Sequence, residues 1–275
     1  MAASPGDDDR VTYVRNRVSL QAFLAAGGER GGKRGEFAMA QADKSDDRAK
    51  ERAEMLRLID EEVAETAHWL GKDRLDPAVH AAMARTPRHR FVPMMELGDA
   101  YQNQPLPIGL GQTISQPYIV AIMTDQAQVG PGSRVLEVGT GSGYQAAVLA
   151  ELGCEVWSIE ALPELAEEAA ARLTELGYDK VHCRQGDGAK GWPEAAPFDA
   201  ILVTAAATAI PPALVDQLKR GGRMIIPLGP PDGAIRYTAT QRLLRIEKAE
   251  DGTLSEEVIL PVAFVPLVTP PGEEA

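Results

Sequence analysis

From Val135 to Tyr144 the sequence reads V-L-E-V-G-T-G-S-G-Y, an apolar run that stops at three alternating glycines, Gly139, Gly141 and Gly143. Glycines without Cβ atoms let a backbone pass close to a ligand, and a following helix turns its free N–H groups toward it. The dinucleotide fingerprint needs its third glycine five positions after the first, and here Tyr144 stands there. Further on, Glu160 ends the next apolar run, where a carboxylate can accept two hydrogen bonds from a ribose. Asp187-Gly188 ends the run after that and is suited to an adenine edge. Any one of these reads equally well as a structural turn or a solvated acid. In this order they predict binding of an adenosine nucleoside without a pyrophosphate.

A second segment, P-L-P-I-G-L-G-Q-T-I-S-Q-P from Pro105 to Pro117, carries no charge and shows neither helical nor strand period. Its hydroxyls are Thr113 and Ser115, and Ser115 also reads as a cap for a helix opening at Pro117. His68, His80, His89 and His182 show no paired acid or ligand spacing, so they read as structural or exposed. Cys154 and Cys183 match neither a metal site nor a disulfide framework and read as buried thiols in a reducing compartment. No metal is expected.

Short β-branched runs alternating with helical patterns must position these residues, which predicts a doubly wound, mostly parallel α/β sheet with helices on both faces. Strands are expected at Arg134 to Val138, Glu155 to Glu160, Val181 to Gln185, Ala200 to Thr204 and Arg223 to Leu228. Helices are expected at Gln145 to Leu152, Pro163 to Leu176 and Pro211 to Lys219, ended by Gly153, Gly177 and Gly221-Gly222. A C-terminal antiparallel hairpin is read from Gln241 to Lys248 and Val258 to Val268, about a turn at Asp251-Gly252. Ahead of the sheet, an amphipathic helix from Asp47 to Leu70 and a second from Ala78 to Ala84 form a helical cover over 48–98, with the main domain at 99–270. Residues 1–47, rich in glycine and mixed charge, read as a flexible arm. Ser19 and Gln21 interrupt its apolar run and argue against a signal peptide, and a start at Met39 would remove most of the arm.

With 275 residues and 44% hydrophobic content the chain can bury one sizeable core. A net charge of −12 disfavours nucleic acid, whose phosphates need clustered Lys and Arg. The longest uncharged apolar stretch is broken by Pro211 and Pro212, short of the roughly 20 residues of a membrane helix. No membrane partner is expected, and the reading is of a soluble, cytoplasmic protein.

From about Arg48 to Val268 the sequence resembles the protein-L-isoaspartate O-methyltransferase family. The resemblance runs through R-F-V-P (Arg90 to Pro93), A-Y-Q-N-Q-P-L-P-I-G-L-G-Q-T-I-S-Q-P (Ala100 to Pro117) and the glycine loop. It continues through G-D-G (Gly186 to Gly188), F-D-A-I-L-V-T-A-A-A (Phe198 to Ala207), G-G-R-M-I-I-P-L-G (Gly221 to Gly229) and F-V-P-L (Phe264 to Leu267). The glycine loop and Glu160 are common to S-adenosylmethionine enzymes; the T-I-S segment, R-F-V-P and F-V-P-L are particular to this family.

The resemblance implies a Rossmann-like methyltransferase that uses S-adenosylmethionine, leaves S-adenosylhomocysteine and needs no metal. It would methylate the free α-carboxylate of L-isoaspartyl residues in damaged proteins or peptides, and the ester would close to a succinimide. By the same resemblance Gly139, Gly141, Ser142 and Gly143 would pass around the amino-acid part of the cofactor, with Glu137 at the loop's start. Glu160 would hold the ribose, and Asp187 with Gly188 the adenine. Thr113, Ile114 and Ser115 would lie between cofactor and substrate, Ser115 bonding the reacting carboxylate, and Val203, Ala205 and Ala206 would form an apolar wall. Glu137 reads equally as an acid that orders the loop, and Val203 with the alanines as sheet core. Thr208-Ala209, the ending F-V-P-L-V-T-P-P and the N-terminal arm depart from the family pattern and bear on substrate preference. A relative tailoring one aspartate of a dedicated precursor peptide would keep the same motifs, as would a cofactor-binding adaptor without catalysis.

Overall fold

The computed structural model describes residues 48–230 and 241–270. The arm expected over 1–47, its signal-peptide reading and Met39 lie outside the described residues.

Helix α1 (Ala49–Glu65) buries Met55, Leu56, Ile59 and Val63 on one face. The single helix expected to Leu70 breaks at Thr66, after which α2 (Ala67–Leu70) forms a separate turn. The Thr66 hydroxyl donates to the Glu62 carbonyl at 2.6 Å, a local bond that competes with regular helix. Helix α3 (Pro77–Arg85) opens as its sequence requires, with the Asp76 side chain accepting the Ala78 N–H at 2.7 Å and proline in the first turn.

The uncharged segment is not the irregular path its composition suggested. It folds into an antiparallel hairpin of β1 (Leu106–Gly109) and β2 (Gln112–Ile114), with Gly109 opposite Gln112. Both turn residues, Leu110 and Gly111, take positive φ, at 52° and 73°, as the tightest hairpin turns require. A leucine at such a φ is uncommon, which is why the turn left no signal in the sequence. Helix α4 (Pro117–Ala127) follows directly.

Beyond it lie β3 (Arg134–Val138), α5 (Tyr144–Glu151), β4 (Glu155–Glu160), α6 (Pro163–Glu175), β5 (Val181–Gln185), β6 (Phe198–Val203), α7 (Pro212–Gln217) and β7 (Leu218–Leu228). Strands β8 (Gln241–Lys248) and β9 (Leu254–Val262) complete a seven-stranded sheet of order β5-β4-β3-β6-β7-β8-β9. The five strands from β5 to β7 are parallel, β8 pairs antiparallel with β7, and β9 pairs antiparallel with β8.

Period-two alternation sorts the core. Val135, Ala200 and Leu202 pack with residues of α1, α3, α4 and α5, while Leu136, Val138, Ile201 and Val203 pack with Leu214 of α7 on the opposite face. A fully buried Leu, Ile or Val contributes about 1.5–3 kcal/mol by leaving water, so a register slip of one residue would be prohibitive.

Several boundaries shift by a few residues, β6 starting at Phe198, β7 at Leu218 and β9 at Leu254, and two departures change the path of the chain. Gly221-Gly222 do not end a helix but lie within β7, where the register against β6 jumps between Phe198 and Ala200. The last strand stops at Val262 instead of running from Val258 to Val268, and Pro266 bridges Ala206. The stretch from Ala263 to Val268 thereby leaves the sheet edge and reaches the carboxyl ends of the central strands.

Candidate active site

Strand order reverses between β3 and β6, and at such a switch point a crevice opens beyond the carboxyl ends of the strands. A narrow pocket lies there. Gln112 and Thr113 come to it from β2, Val138, Gly139 and Gly141 from the end of β3, Ile159, Glu160 and Ala161 from β4, Gly188 from beyond β5, Thr204 and Ala205 from beyond β6, and Val265 to Val268 from the C-terminal segment.

The glycine loop is held from several sides. The Gly139 and Thr140 N–H groups donate to the Ile159 carbonyl at 2.8 and 3.2 Å, and the Gly141 N–H donates to Glu160 Oε2 at 2.8 Å. Thr204 Oγ1 donates to the Gly139 carbonyl at 2.6 Å. Gly139 has φ of +97°, and a Cβ there would sit 2.5 Å from Thr204 Oγ1. Arg172 from α6 donates to the Ser142 carbonyl at 2.6 Å, and Gly143, at φ +89°, caps α5.

Glu160 also accepts from the Leu162 N–H at 3.1 Å through Oε1, so two backbone bonds fix its carboxylate at the pocket wall. A carboxylate offers about four lone-pair sites, leaving capacity for a diol. Asp187 Oδ1 accepts from the Ala189 N–H at 2.9 Å, and Oδ2 stands 3.5 Å from Lys190 Nζ. It thus caps the short turn Gly188–Lys190, and Gly188 rather than Asp187 faces the pocket. Gly188 stands so close to β3 that a Cβ would lie 2.4 Å from Val138 Cγ1.

Glu137 is fully buried and does not line the pocket. Its carboxyl takes a hydrogen bond from Ser158, whose hydroxyl meets Thr140 Oγ1 at 2.6 Å. Burial pushes the Glu137 carboxyl up to about 8, with the negative Glu160 adding to the rise and the Ser158 hydroxyl opposing it. Burial favours the neutral form, and Glu137 meets the loop through the Ser158 and Thr140 hydroxyls.

Of the site residues expected from sequence, Thr113, Gly139, Gly141, Glu160, Gly188 and Ala205 line the pocket. Ile114 is buried, and Ser115 is half-buried with no hydrogen-bond partner among the described residues. Ser115 does not cap α4, because Gln116 occupies that position. Val203 belongs to the core of the second face, and Ala206 pairs through its backbone with Val265 and Leu267, each at 2.8 Å. Sequence reading passed over Thr204 and Val265 to Val268 as site residues. Both stand in quoted motifs, but spacing alone did not show that one ties down the glycine loop and the others border the crevice.

The remaining reactive groups lie elsewhere. His80 and His182 do pair with surface acids, Asp60 at 3.4 Å and Glu155 at 3.2 Å, and His89 Nδ1 meets the Tyr101 hydroxyl at 2.7 Å. Cys154 is buried, Cys183 only half-buried, and burial pushes both thiols up to about 12. Among the described residues there is no His, Cys, Asp and Glu group that could hold a metal ion, and no helix is long and apolar enough to cross a membrane.

The crevice combines apolar walls, one anchored carboxylate and a glycine loop before a helix, which fits a nucleoside. Known proteins point the same way. The sequence profile of the protein-L-isoaspartate(D-aspartate) O-methyltransferase family matches residues 64–271. A protein-L-isoaspartate O-methyltransferase 2 of Syntrophobacter fumaroxidans is 60% identical over 216 residues, covering 78% of this chain and 85% of that protein. One of Polaromonas is 58% identical over 213 residues, covering 78% of this chain and 98% of its own. A solved protein-L-isoaspartate O-methyltransferase superposes with a TM-score of 0.65 at 26% identity, covering 78% of this chain and 65% of that one, so the chain spans just under two thirds of it. A Plasmodium falciparum structure, a complex with S-adenosyl-L-homocysteine, shares the fold with a TM-score of 0.62 at 24% identity, covering 79% of this chain and 98% of its own. The chain belongs to the protein-L-isoaspartate(D-aspartate) O-methyltransferase family.

Proposed function

We propose that the protein transfers a methyl group from S-adenosylmethionine to the free α-carboxylate of L-isoaspartyl residues in damaged proteins and peptides, beginning a repair that proceeds through a succinimide. The observation that supports this reading most is that Thr113, of the T-I-S segment particular to the family, lines the crevice that Glu160 and the glycine loop also border.

Bound there, the cofactor supplies a methyl group already activated by its sulfonium. Glu160 would accept from the ribose hydroxyls, Gly188 would face the adenine with Asp187 holding its turn, and Gly139, Gly141, Ser142 and Gly143 would line the path of the amino-acid part. Glu137 would act from beneath by ordering that loop. A carboxylate with an ordinary pKa near 4 is ionised at neutral pH, so the acceptor needs no general base. What remains for the chain is to align the acceptor oxygen and exclude water. The free Ser115 hydroxyl would hold the acceptor carboxylate, with Thr113 and Ile114 beside it and Ala205 and Ala206 as the narrow wall. Val203 supports that wall from the core.

A panel of unrelated isoaspartyl peptides with labelled S-adenosylmethionine tests the breadth of this activity. Label across the panel is the expected result. Label confined to one sequence context would replace general repair with tailoring of a dedicated peptide.

A further inference from the structure

We propose that Glu62 is a positioning residue for the methyl-acceptor site, a single carboxylate on α1 that fastens both ends of the segment carrying Thr113 and Ser115. The inference rests on the role proposed for Ser115.

Glu62 Oε2 accepts from Asn103 Nδ2 at 2.6 Å and from Gln116 Nε2 at 3.0 Å. Asn103 stands just before the segment and Gln116 immediately after Ser115, so one group spans its entry and its exit. Each end is in turn tied to α4. Asn103 Oδ1 accepts the Tyr118 N–H at 2.9 Å, one of the N–H groups that a helix start leaves without an internal partner. Gln116 is the cap residue of α4, yet its side chain makes no capping bond and turns to Glu62. The Tyr118 hydroxyl meets Thr66 Oγ1 at 2.7 Å, and Thr66 Oγ1 donates to the Glu62 carbonyl, which returns the network to α1.

Ser115 has no hydrogen bond of its own among the described residues, so its place is set by its neighbours, β2 on one side and Gln116 on the other. The attachment of α1 does not depend on Glu62, because Met55, Ile59 and Val63 already bury fully against the core. Desolvation raises the Glu62 carboxyl above the ordinary range, and the amide donors of Asn103 and Gln116 oppose the rise. A partly buried acid serving two amides is a placement that anchoring the helix does not require. It gives the helical cover, which lends no residue to the pocket, a part in the chemistry.

Glu62→Met keeps much of the length but leaves neither the Asn103 nor the Gln116 amide an oxygen to donate to. With an isoaspartyl peptide, kcat should fall about tenfold, as misplacement of a positioning group implies, while KM for S-adenosylmethionine and Tm stay near wild type. Gln116→Ala should lower kcat likewise, and the double variant should be little worse than the poorer single, since both remove one network. An unchanged kcat, a loss that tracks Tm and cofactor KM, or additive losses would overturn the proposal. Amide hydrogen exchange over residues 110–116 in the cofactor-free protein gives a readout independent of activity. Faster exchange in Glu62→Met is expected, and unchanged exchange overturns the clamp even if the wild type methylates no isoaspartyl peptide, an outcome that would separately refute the proposed function.

Discussion

Gly139 has no room for a side chain. A methyl group at φ +97° and 2.5 Å from Thr204 Oγ1 must strain the backbone and push away the hydroxyl that holds the loop's own carbonyl. Gly139→Ala should therefore weaken S-adenosylmethionine binding by about tenfold or more in calorimetry, and an unchanged Kd would contradict the loop's proposed role. Glu137 gives a prediction of different kind. Its carboxyl is raised by burial to about 8, so from the unfolded value of about 4.5 up to about 8 the unfolded chain has released a proton that the folded chain still holds. The unfolded state binds fewer protons there, so the stabilising contribution is complete below the lower value and is lost as pH rises through the upper one. Tm of wild type minus that of Glu137→Gln should fall steadily across this window; a flat difference would mean that Glu137 ionises normally. At this scale the sequence was most informative where a residue type has few uses. Gly139 and Glu160 were identified by their place at strand ends, and both reach the crevice. Asp187, expected at the adenine, also caps the next turn, because a short acid beside free backbone N–H groups bonds them readily.

Elements were legible wherever apolar periodicity was long. The expected bounds of β3, β4, β5 and β8 are those observed, since each strand is a continuous or alternating apolar run closed by glycine, proline or charge. The β1–β2 hairpin was not legible, because prolines broke its alternation and its turn places Leu110 where asparagine or glycine is usual. The end of β9 was misjudged for another reason: Phe264 to Val268 is apolar enough for a strand, yet its partners are the Ala206 backbone groups instead of a sheet edge. That difference matters to function, as Val265 to Val268 forms one wall of the crevice. A chain ended after Phe264 should keep its sheet, with a Tm drop of only a few degrees, but release the cofactor about tenfold faster in stopped-flow. Unchanged release would show that the segment does not enclose the ligand.

Across the whole molecule, function is split among parts distant in sequence. A helical cover bonds the segment proposed to hold the acceptor, the parallel sheet presents the crevice at its carboxyl ends, and the C-terminal segment beyond β9 borders it. The net charge of −12 sits oddly with an anionic acceptor, and the stretch from Pro105 to Pro117 adds no charge of its own to that field. In the proposed function this arrangement selects the free α-carboxylate of an isoaspartyl linkage. Two peptides identical except for an isoaspartyl or aspartyl residue, each incubated with labelled S-adenosylmethionine and either wild type or Ser115→Ala, test it most directly. Label is expected in the isoaspartyl peptide alone, reduced at least tenfold by Ser115→Ala with cofactor affinity unchanged. Equal label in both peptides, or none in either alongside normal cofactor binding, would contradict it.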